Sequence, residues 1–583
     1  MNQKRISLLA ALVAAIVILV LLWIVLGRDH GNSADQRGDA IMTTYSGHGG
    51  TFKNPIVDMD TPDPSVVYKD GFYYMTFTHN GADIMVMKSR TIDFRHAKRK
   101  VVWYPPFGTM YSANLWAPEL QYIQGKWYIY FAADDGNNEN HRMYVLEAVS
   151  DDPLGEYEFR GKVDDGSDKW AIDGLVMEHE EQLYFVWSGW EGDVNISQNT
   201  YIAPMSDPLT ISGPRVLLSE PLYEWERAGG PPYIQEGQAI LKHNGRLFIA
   251  YSGAGSWTPF YSIGLLALQE GGNPLEPEHW SKVEQPLMKM NEEIDVFGPG
   301  HNSFTTSPDG TETWIVYHAT SGIHDGWNNR KARAERVAWD DQGMPILNGP
   351  LAIETAIAVP AGEGIYYAKH AKVADGELLF ELIPSRHATE MPILLHYRSE
   401  GSDSSAVLFV NEEEWGGVEL AETAHQDIGY VWVIVPFNEG MNTIKVQLEE
   451  GAALEAIEIT RYEAENAQAG KGAYAESNPF ASGWGAVLGD STDEGELQFS
   501  NFVVPEAGEY ELRIAASNRG YAEQQLQISI NGKKATVITI EPGERQHFNT
   551  ILLSVKLDKG INEIVIKNLS SAIALDYIDI LKS

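Results

Sequence analysis

Between residues 71 and 318 the apolar positions follow no helical period; they come in short, aromatic-rich runs set off by turns. One run recurs five times: Gly71–Thr78, Gly125–Ala132, Glu181–Ser188, Gly245–Ser252 and Thr311–His318. Their starts are 54, 56, 64 and 66 residues apart. Strand-rich repeats of this length predict blades of four strands each, and five copies predict a five-bladed β-propeller over residues 51–358. The competing reading is an ordinary sandwich whose aromatic strands resemble one another.

Beyond Pro360 the pattern becomes short alternating strands with Gly and Asn turns, which predicts β-sandwich. It also repeats. Ile365–Ala371 aligns with Arg461–Ala467, Gly440–Val446 with Gly560–Ile566, and Leu454–Ile459 with Leu575–Ile580. Two jelly-roll modules are therefore expected, at 359–460 and 461–583, making the chain all-β apart from its start. There, Lys4 and Arg5 precede the uncharged run Ile6–Leu26, and Arg28 follows it. A helix over that run is about 32 Å long, enough to cross a bilayer core. Residues 1–28 read as a transmembrane signal anchor, with a cleaved signal peptide as the alternative, and 29–50 as a flexible Gly-, Ser- and Asp-rich linker. Either way the remainder is expected to be extracellular, membrane-anchored if the helix is retained.

Composition narrows the chemistry. A formal charge of −38 leaves no basic stripe for phosphates, so nucleic acid is excluded as a partner. Having no cysteine excludes disulfides, thiolate metal sites and cysteine nucleophiles. There is no HExxH, Walker or Rossmann pattern, and no G-x-S-x-G elbow for a serine triad.

The repeat phase brings out five polar residues. Asp63, Glu119, Asp173, Glu236 and His301 lie 8, 6, 8, 9 and 10 residues before successive repeat starts. A hairpin joins each upstream segment to its repeat strand. If that segment is the innermost strand of a blade, all five side chains face one axis. Taken singly, Asp63 before Pro64 and Asp173 before Gly174 are also turn formers. Glu236 is harder to explain away, because Glu is a poor strand former. Glu119 reads equally as a structural hydrogen-bond acceptor, and His301 as a satisfied core histidine or the holder of a hydrated cation. Three converging acids in an aromatic-rich tunnel suit glycoside cleavage: one protonates the leaving oxygen and another activates water or attacks carbon. A third carboxylate nearby raises the acid's pKa. A carbohydrate-binding propeller without turnover would need the aromatics but not three acids.

These motifs resemble glycoside hydrolase family 43, in particular its α-L-arabinofuranosidase and exo-arabinanase members, over Asn54 to Pro350. The residues that carry the resemblance are Asp63–Val66, Leu115–Leu120, Ile172–Gly174, Glu236-Gly237, Gly298–Phe304 and Tyr317–Ala319. The resemblance implies inversion, with Asp63 as general base, Glu236 as general acid and Asp173 tuning and orienting that acid. The two outer carboxyls are then expected about 6.5–9.5 Å apart. His301 would hold a central ion, often calcium, through water. Trp116, Glu119, Trp190 and Trp257 are expected at the sugar site. Gln238 stands where relatives carry Pro. The retaining five-bladed enzymes' Arg-Asp-Pro and Glu-Cys signatures are absent. The implied activity is removal of α-L-arabinofuranosyl residues from arabinan or arabinoxylan-type plant polysaccharide, with β-xylosidase or a non-catalytic surface sugar-binding protein as alternatives.

The last module resembles carbohydrate-binding families 6 and 35. That implies structural calcium on Glu463, Glu465 and Asp576, hard oxygen ligands, with Trp484 and Phe548 as loop aromatics for stacking on sugar. The preceding module has Tyr367 and Lys369 at the two Glu positions, and a lysine there opposes a cation. It reads as a degenerate copy.

Overall fold

The computed structural model describes residues 45–374, 376–491, 494–544 and 547–582. The anchor or signal segment 1–28 and most of the 29–50 linker lie outside them. Among the described residues no helix is long and apolar enough to cross a membrane, and apart from single 3-10 turns every named element is a strand. The chain is all-β, consistent with a propeller followed by sandwiches.

Five antiparallel sheets follow one another from Ser65 to Arg336. Their first strands are Ser65–Lys69, Ala113–Ile123, Ala171–His179, Gln235–His243 and Phe297–Thr306. Each touches the next, and the fifth touches the first, so these strands line a closed ring. The recurring aromatic run forms the second strand of every sheet.

Packing explains why those runs are apolar throughout instead of alternating. Successive side chains of a strand point to opposite faces, and here both faces are covered. Tyr74 packs with Trp127, Ile129 and Phe131 between the first and second sheets. Tyr128 and Tyr130 turn the other way, to Phe185 and Trp187 of the third. Tyr184 and Val186 meet Leu247, Ile249 and Tyr251 of the fourth. Phe248 and Ala250 meet Ile315 and Tyr317 of the fifth. Trp314 and Val316 then return to Tyr73 and Met75 of the first. Each repeat strand feeds two cores, and five cores close the circle.

The fifth sheet has three strands, and its outer edge is covered by the segment just ahead of the first sheet. Ile56 N–H donates to Ala332 O at 2.9 Å and Thr61 N–H to Arg330 O at 2.8 Å. Ala334 N–H donates to the Asn54 side chain at 2.9 Å. Thr51–Phe52 pairs with Ile357–Ala358, fastening the two ends of the ring segment together.

Two sheet pairs follow, at 365–459 and 461–581, with the same strand order. Each opens with a three-residue strand and a single 3-10 turn, Ile365–Tyr367 with Ala368–His370 and Arg461–Glu463 with Ala464–Asn466. The second adds a hairpin, Ala473–Ser477 and Gly485–Gly489, at one edge.

Phe185 is 1 % exposed in the core between the second and third sheets. Phe185→Ala is expected to lower stability by about 3–5 kcal/mol, whereas Val149→Ala, at a site 59 % exposed, should change it by less than about 0.5 kcal/mol; urea unfolding of the two variants checks this.

Candidate active site

The polar residues singled out by the repeat phase meet on the inner strands, and a backbone irregularity at every strand start aims them. Asp63, Ala117, Asp173, Gly237 and His301 all have left-handed φ, at 59°, 42°, 55°, 59° and 41°. Four of these sit in register shifts, between Trp116 and Glu119, Ile172 and Leu175, Glu236 and Ala239, and Gly300 and Ser303. A bulge adds a residue to one strand and re-aims the neighbouring side chain. Non-glycine residues in this region are strained, and such strain gathers at functional sites. At Gly237 glycine is required twice over: φ is positive, and a Cβ would sit 3.0 Å from His301 Cα.

His301 is the hub. Its Nε2 lies 3.1 Å from Glu119, and its Nδ1 lies 3.4 Å from Asp63 and 3.8 Å from Asp173. Burial opposes its charge, but Asp173, Asp63 and Glu119 outweigh burial and lift its pKa to about 10. A positive charge is thereby fixed among carboxylates. Both ring nitrogens face carboxylates, which makes His301 the centre of an ion-pair cluster. Among the described residues no three His, Asp or Glu side chains form a ready-made metal cage.

The carboxylates are pushed apart in acidity. Burial alone would raise Asp63, but the Arg330 guanidinium at 3.4 Å, the His301 cation and the Thr78 hydroxyl at 2.7 Å hold it down at about 2. Burial and the adjacent Asp173 charge push Glu236 up to about 8, against the pull of His301. Burial also lifts Asp173, to about 6, despite His301; Asp63 and Glu119 push the same way, and the Gly237 N–H donated to it at 2.8 Å opposes them. At neutral pH the site therefore holds one protonated acid, Glu236, and one firmly ionised carboxylate, Asp63. Titratable groups driven apart in this way mark the acid and the base.

Other predicted residues fall differently. Trp116 is half-buried and stacks on His141 at 4.0 Å, and that ring is held by Asp134 at 3.0 Å. Trp257 is exposed and meets Trp327 edge-on at 5.8 Å. Trp190 is 4 % exposed and stacks on Trp170 at 4.6 Å in the core between the second and third sheets.

In the last module Glu463 and Asp576 both accept from the Ser482 hydroxyl, and a Cβ on Gly483 would meet Glu465 Oε1. The Glu465 carboxylate is buried without a hydrogen-bond partner. The three acids thus surround one loop, a hard-oxygen set that suits calcium though not a preformed cage. Trp484 is 54 % exposed and has two ring partners. Arg386 of the first sandwich lies 3.1 Å over its ring, and His96 of the ring of sheets stacks at 6.2 Å. Phe548 packs on the small core of Ala481, Ala486, Leu488 and Ala574. Two further loop aromatics, Phe480 and Tyr521, border a cavity of about 590 Å³ beside Asn478 and Arg519, and Trp484 lines another of about 720 Å³.

Four residues at the centre were missed: Thr78, His318, Arg330 and Tyr261. His318 Nδ1 accepts the Asp63 N–H at 3.1 Å, so that nitrogen carries no proton, and burial keeps the ring's pKa well below normal. Tyr261, buried beside Glu236, stacks on His318 at 5.7 Å. A signal for two of them was present. The residues closing the repeats include Thr78, Ser188, Ser252 and His318. Each bonds the start of the next inner strand: Ala117 N–H to Thr78, Ser188 hydroxyl to Gln235 O, His301 N–H to Ser252, and Asp63 N–H to His318.

A buried acid–base pair on a ring of sheets, with aromatic side chains at its mouth, defines the class of carbohydrate-cleaving hydrolases. The profile of Glycosyl hydrolases family 43 matches residues 52–345, and the chain belongs to that family. Its enzyme class is therefore glycoside hydrolase. The α-L-arabinofuranosidase 43 of Humicola insolens is 33 % identical over 54 % of this chain and 69 % of its own length. The extracellular exo-α-(1→5)-L-arabinofuranosidase of Streptomyces chartreusis is 36 % identical over 46 % of this chain and 82 % of its own. The crystal structure of α-L-arabinofuranosidase from Lactobacillus brevis, 33 % identical, covers 52 % of this chain and 98 % of that one with a TM-score of 0.49.

The pH dependence follows from the two shifts. With Glu236 as the acid, kcat/KM should fall as pH rises through about 8. With Asp63 as the base, the acid limb should follow that carboxyl. Removing its cationic partner, as in Arg330→Met, should move the acid limb up by about 1–2 units and leave the alkaline limb in place. A pH–kcat/KM profile of both proteins reads this directly.

Proposed function

We propose that this enzyme removes α-L-arabinofuranosyl residues from arabinan or arabinoxylan-type plant polysaccharide by inversion, on a five-bladed propeller. One observation carries the chemistry: two buried carboxylates of one cluster have opposed neighbours, with Asp173 beside Glu236 raising its pKa and Arg330, His301 and Thr78 around Asp63 lowering its own. In the proposed step Asp63 takes a proton from water as that water attacks the anomeric carbon. The glycosidic C–O bond breaks and the Glu236 proton passes to the departing oxygen, leaving a hemiacetal of inverted configuration and a free hydroxyl. Asp173, oriented by the Gly237 N–H, keeps the acid protonated through its charge. His301 offsets the excess negative charge and holds Asp63 and Glu119 in place.

The arabinose assignment rests on the two curated relatives, both arabinofuranosidases by name, one of them extracellular and exo-acting on α-(1→5) links. An extracellular location for this chain is proposed on the same ground, with the Ile6–Leu26 run as its export signal or anchor. Wild type should release 4-nitrophenol from the α-L-arabinofuranoside and much less from the β-D-xyloside. The reverse preference would make it a β-xylosidase, and binding without turnover on either would leave a sugar-binding protein. Glu236→Ala should lower kcat on an arabino-oligosaccharide by about 10²–10⁴-fold, and by less on the nitrophenyl substrate, whose acidic leaving group scarcely needs a proton.

For the last module we propose sugar binding, with calcium on Glu463, Glu465 and Asp576. The support is three crowded carboxylates, one of them buried without a partner. A bound cation would neutralise their mutual repulsion and fix the Ser482–Trp484 loop. Calcium at about 100 times its Kd should stabilise the full chain by about 2.7 kcal/mol, seen as a rise in Tm. Asp576→Asn should remove most of that rise.

A further inference from the structure

The loops above the inner strands carry apolar side chains of which only Trp257 has been given an expected role. Trp257 and Phe260 sit on the connector between Arg246–Gly253 and Ser262–Leu268, and Ile323 and Trp327 on the one between Thr313–Thr320 and Lys331–Arg336. Both connectors leave their sheets just beyond Ser252 and His318, the residues that brace the strand starts carrying the acids. The four side chains therefore stand on the active-site face, 39 %, 40 %, 42 % and 60 % exposed in chain order.

They are held in place. Trp257 folds over Gly255, where a Cβ would lie 2.5 Å from its ring. The Trp327 indole N–H donates to Ser256 Oγ at 3.2 Å, locking one connector to the other, and the two indoles meet at 77°. Phe260 lies beside Gly229 of a third loop, where a Cβ would reach its ring at 3.8 Å. The ridge is also wired to the chemistry: Arg330 donates from Nε to Trp327 O at 3.2 Å and faces Asp63 with Nη1 at 3.4 Å. A rigid, exposed apolar surface of this kind marks a binding surface.

We propose that Trp257, Phe260, Ile323 and Trp327 form a ridge on which the main chain of a neutral polysaccharide lies while its terminal or branch residue occupies the axial site. The proposal rests on the hydrolase reading and extends it from the cleaved sugar to the polymer that bears it. Sugar rings present apolar C–H faces that stack on indole and phenyl rings while their hydroxyls stay wet. A neutral chain is specified because a net charge of −38 repels polyanions such as pectic acids. Continuity with Asp63 through Arg330 is what assigns the surface to substrate.

The test compares polymer with small substrate. For wild type, Trp327→Ala and Trp327→Phe, kcat/KM is measured on debranched arabinan and on 4-nitrophenyl α-L-arabinofuranoside, with Tyr122→Ala as a distant surface control. Losing a stacked indole should lower the polymer-to-aryl ratio about tenfold. Trp327→Phe should recover most of it, and the control should keep it within about twofold. A ratio unchanged in Trp327→Ala would overturn the ridge, as would equal loss on both substrates. Binding of a Glu236→Gln protein to neutral arabinan and xylan, with and without Trp327→Ala, separates the two readings. Wild type inactive on arabinofuranosides refutes the activity; polysaccharide binding that survives Trp327→Ala refutes the ridge.

Discussion

The ring of sheets rests on one constraint: every second strand must satisfy two cores at once. Tyr73 faces the fifth sheet and Tyr74 the second; Trp127 faces the first and Tyr128 the third. No sheet can be removed without uncovering apolar side chains on both neighbours, so burial of large aromatics, the largest favourable contribution in the fold, also enforces closure. Hydrogen bonds follow the same circuit. Thr78, Ser188, Ser252 and His318, at the ends of these strands, tie down the start of the next inner strand. The apolar circle sets the sheets, and the polar circle inside it sets the acids.

Within that frame the electrostatics are arranged around His301, with Arg330 as a second cation beside Asp63. Without His301, Asp63, Glu119 and Asp173 would confront one another in a low-dielectric interior, where unpaired charges are costly. His301 makes the crowding tolerable but does not level it. Arg330 and Thr78 add stabilisation on the Asp63 side only, while Glu236 has Asp173 as its near neighbour. The asymmetry in partners becomes an asymmetry in protonation, which is what a single-displacement hydrolysis needs.

Much of this was legible in the chain and some was not. The five aromatic runs and the polar residues 6 to 10 positions upstream of them could be read directly, because strand periodicity and blade repetition are local properties. The duplication of the sandwich could be read as well, and both copies adopt the same strand order. Aromatics were the weak point. Trp190 and Trp116 look alike in sequence, yet one fills a core and the other lies half-buried against His141. Trp484 was expected on a sugar-facing loop, and its ring also meets Arg386 and His96, which lie 98 and 388 residues away. Loop position alone does not say which surface a loop will face.

The three acids at the axis illustrate the division. The residue types, their phase within a repeat and the glycine after Glu236 are written in the chain, and they were enough to gather Asp63, Asp173 and Glu236 and to assign hydrolysis. The left-handed turns and bulges that aim them, the Arg330 contact across 267 residues and the His301 hub exist only once the ring has closed. Protonation depends on burial and on neighbours supplied by other sheets. The residue types and their phase were thus determined by sequence, while the neighbours that drive their acidities apart were decided by tertiary structure.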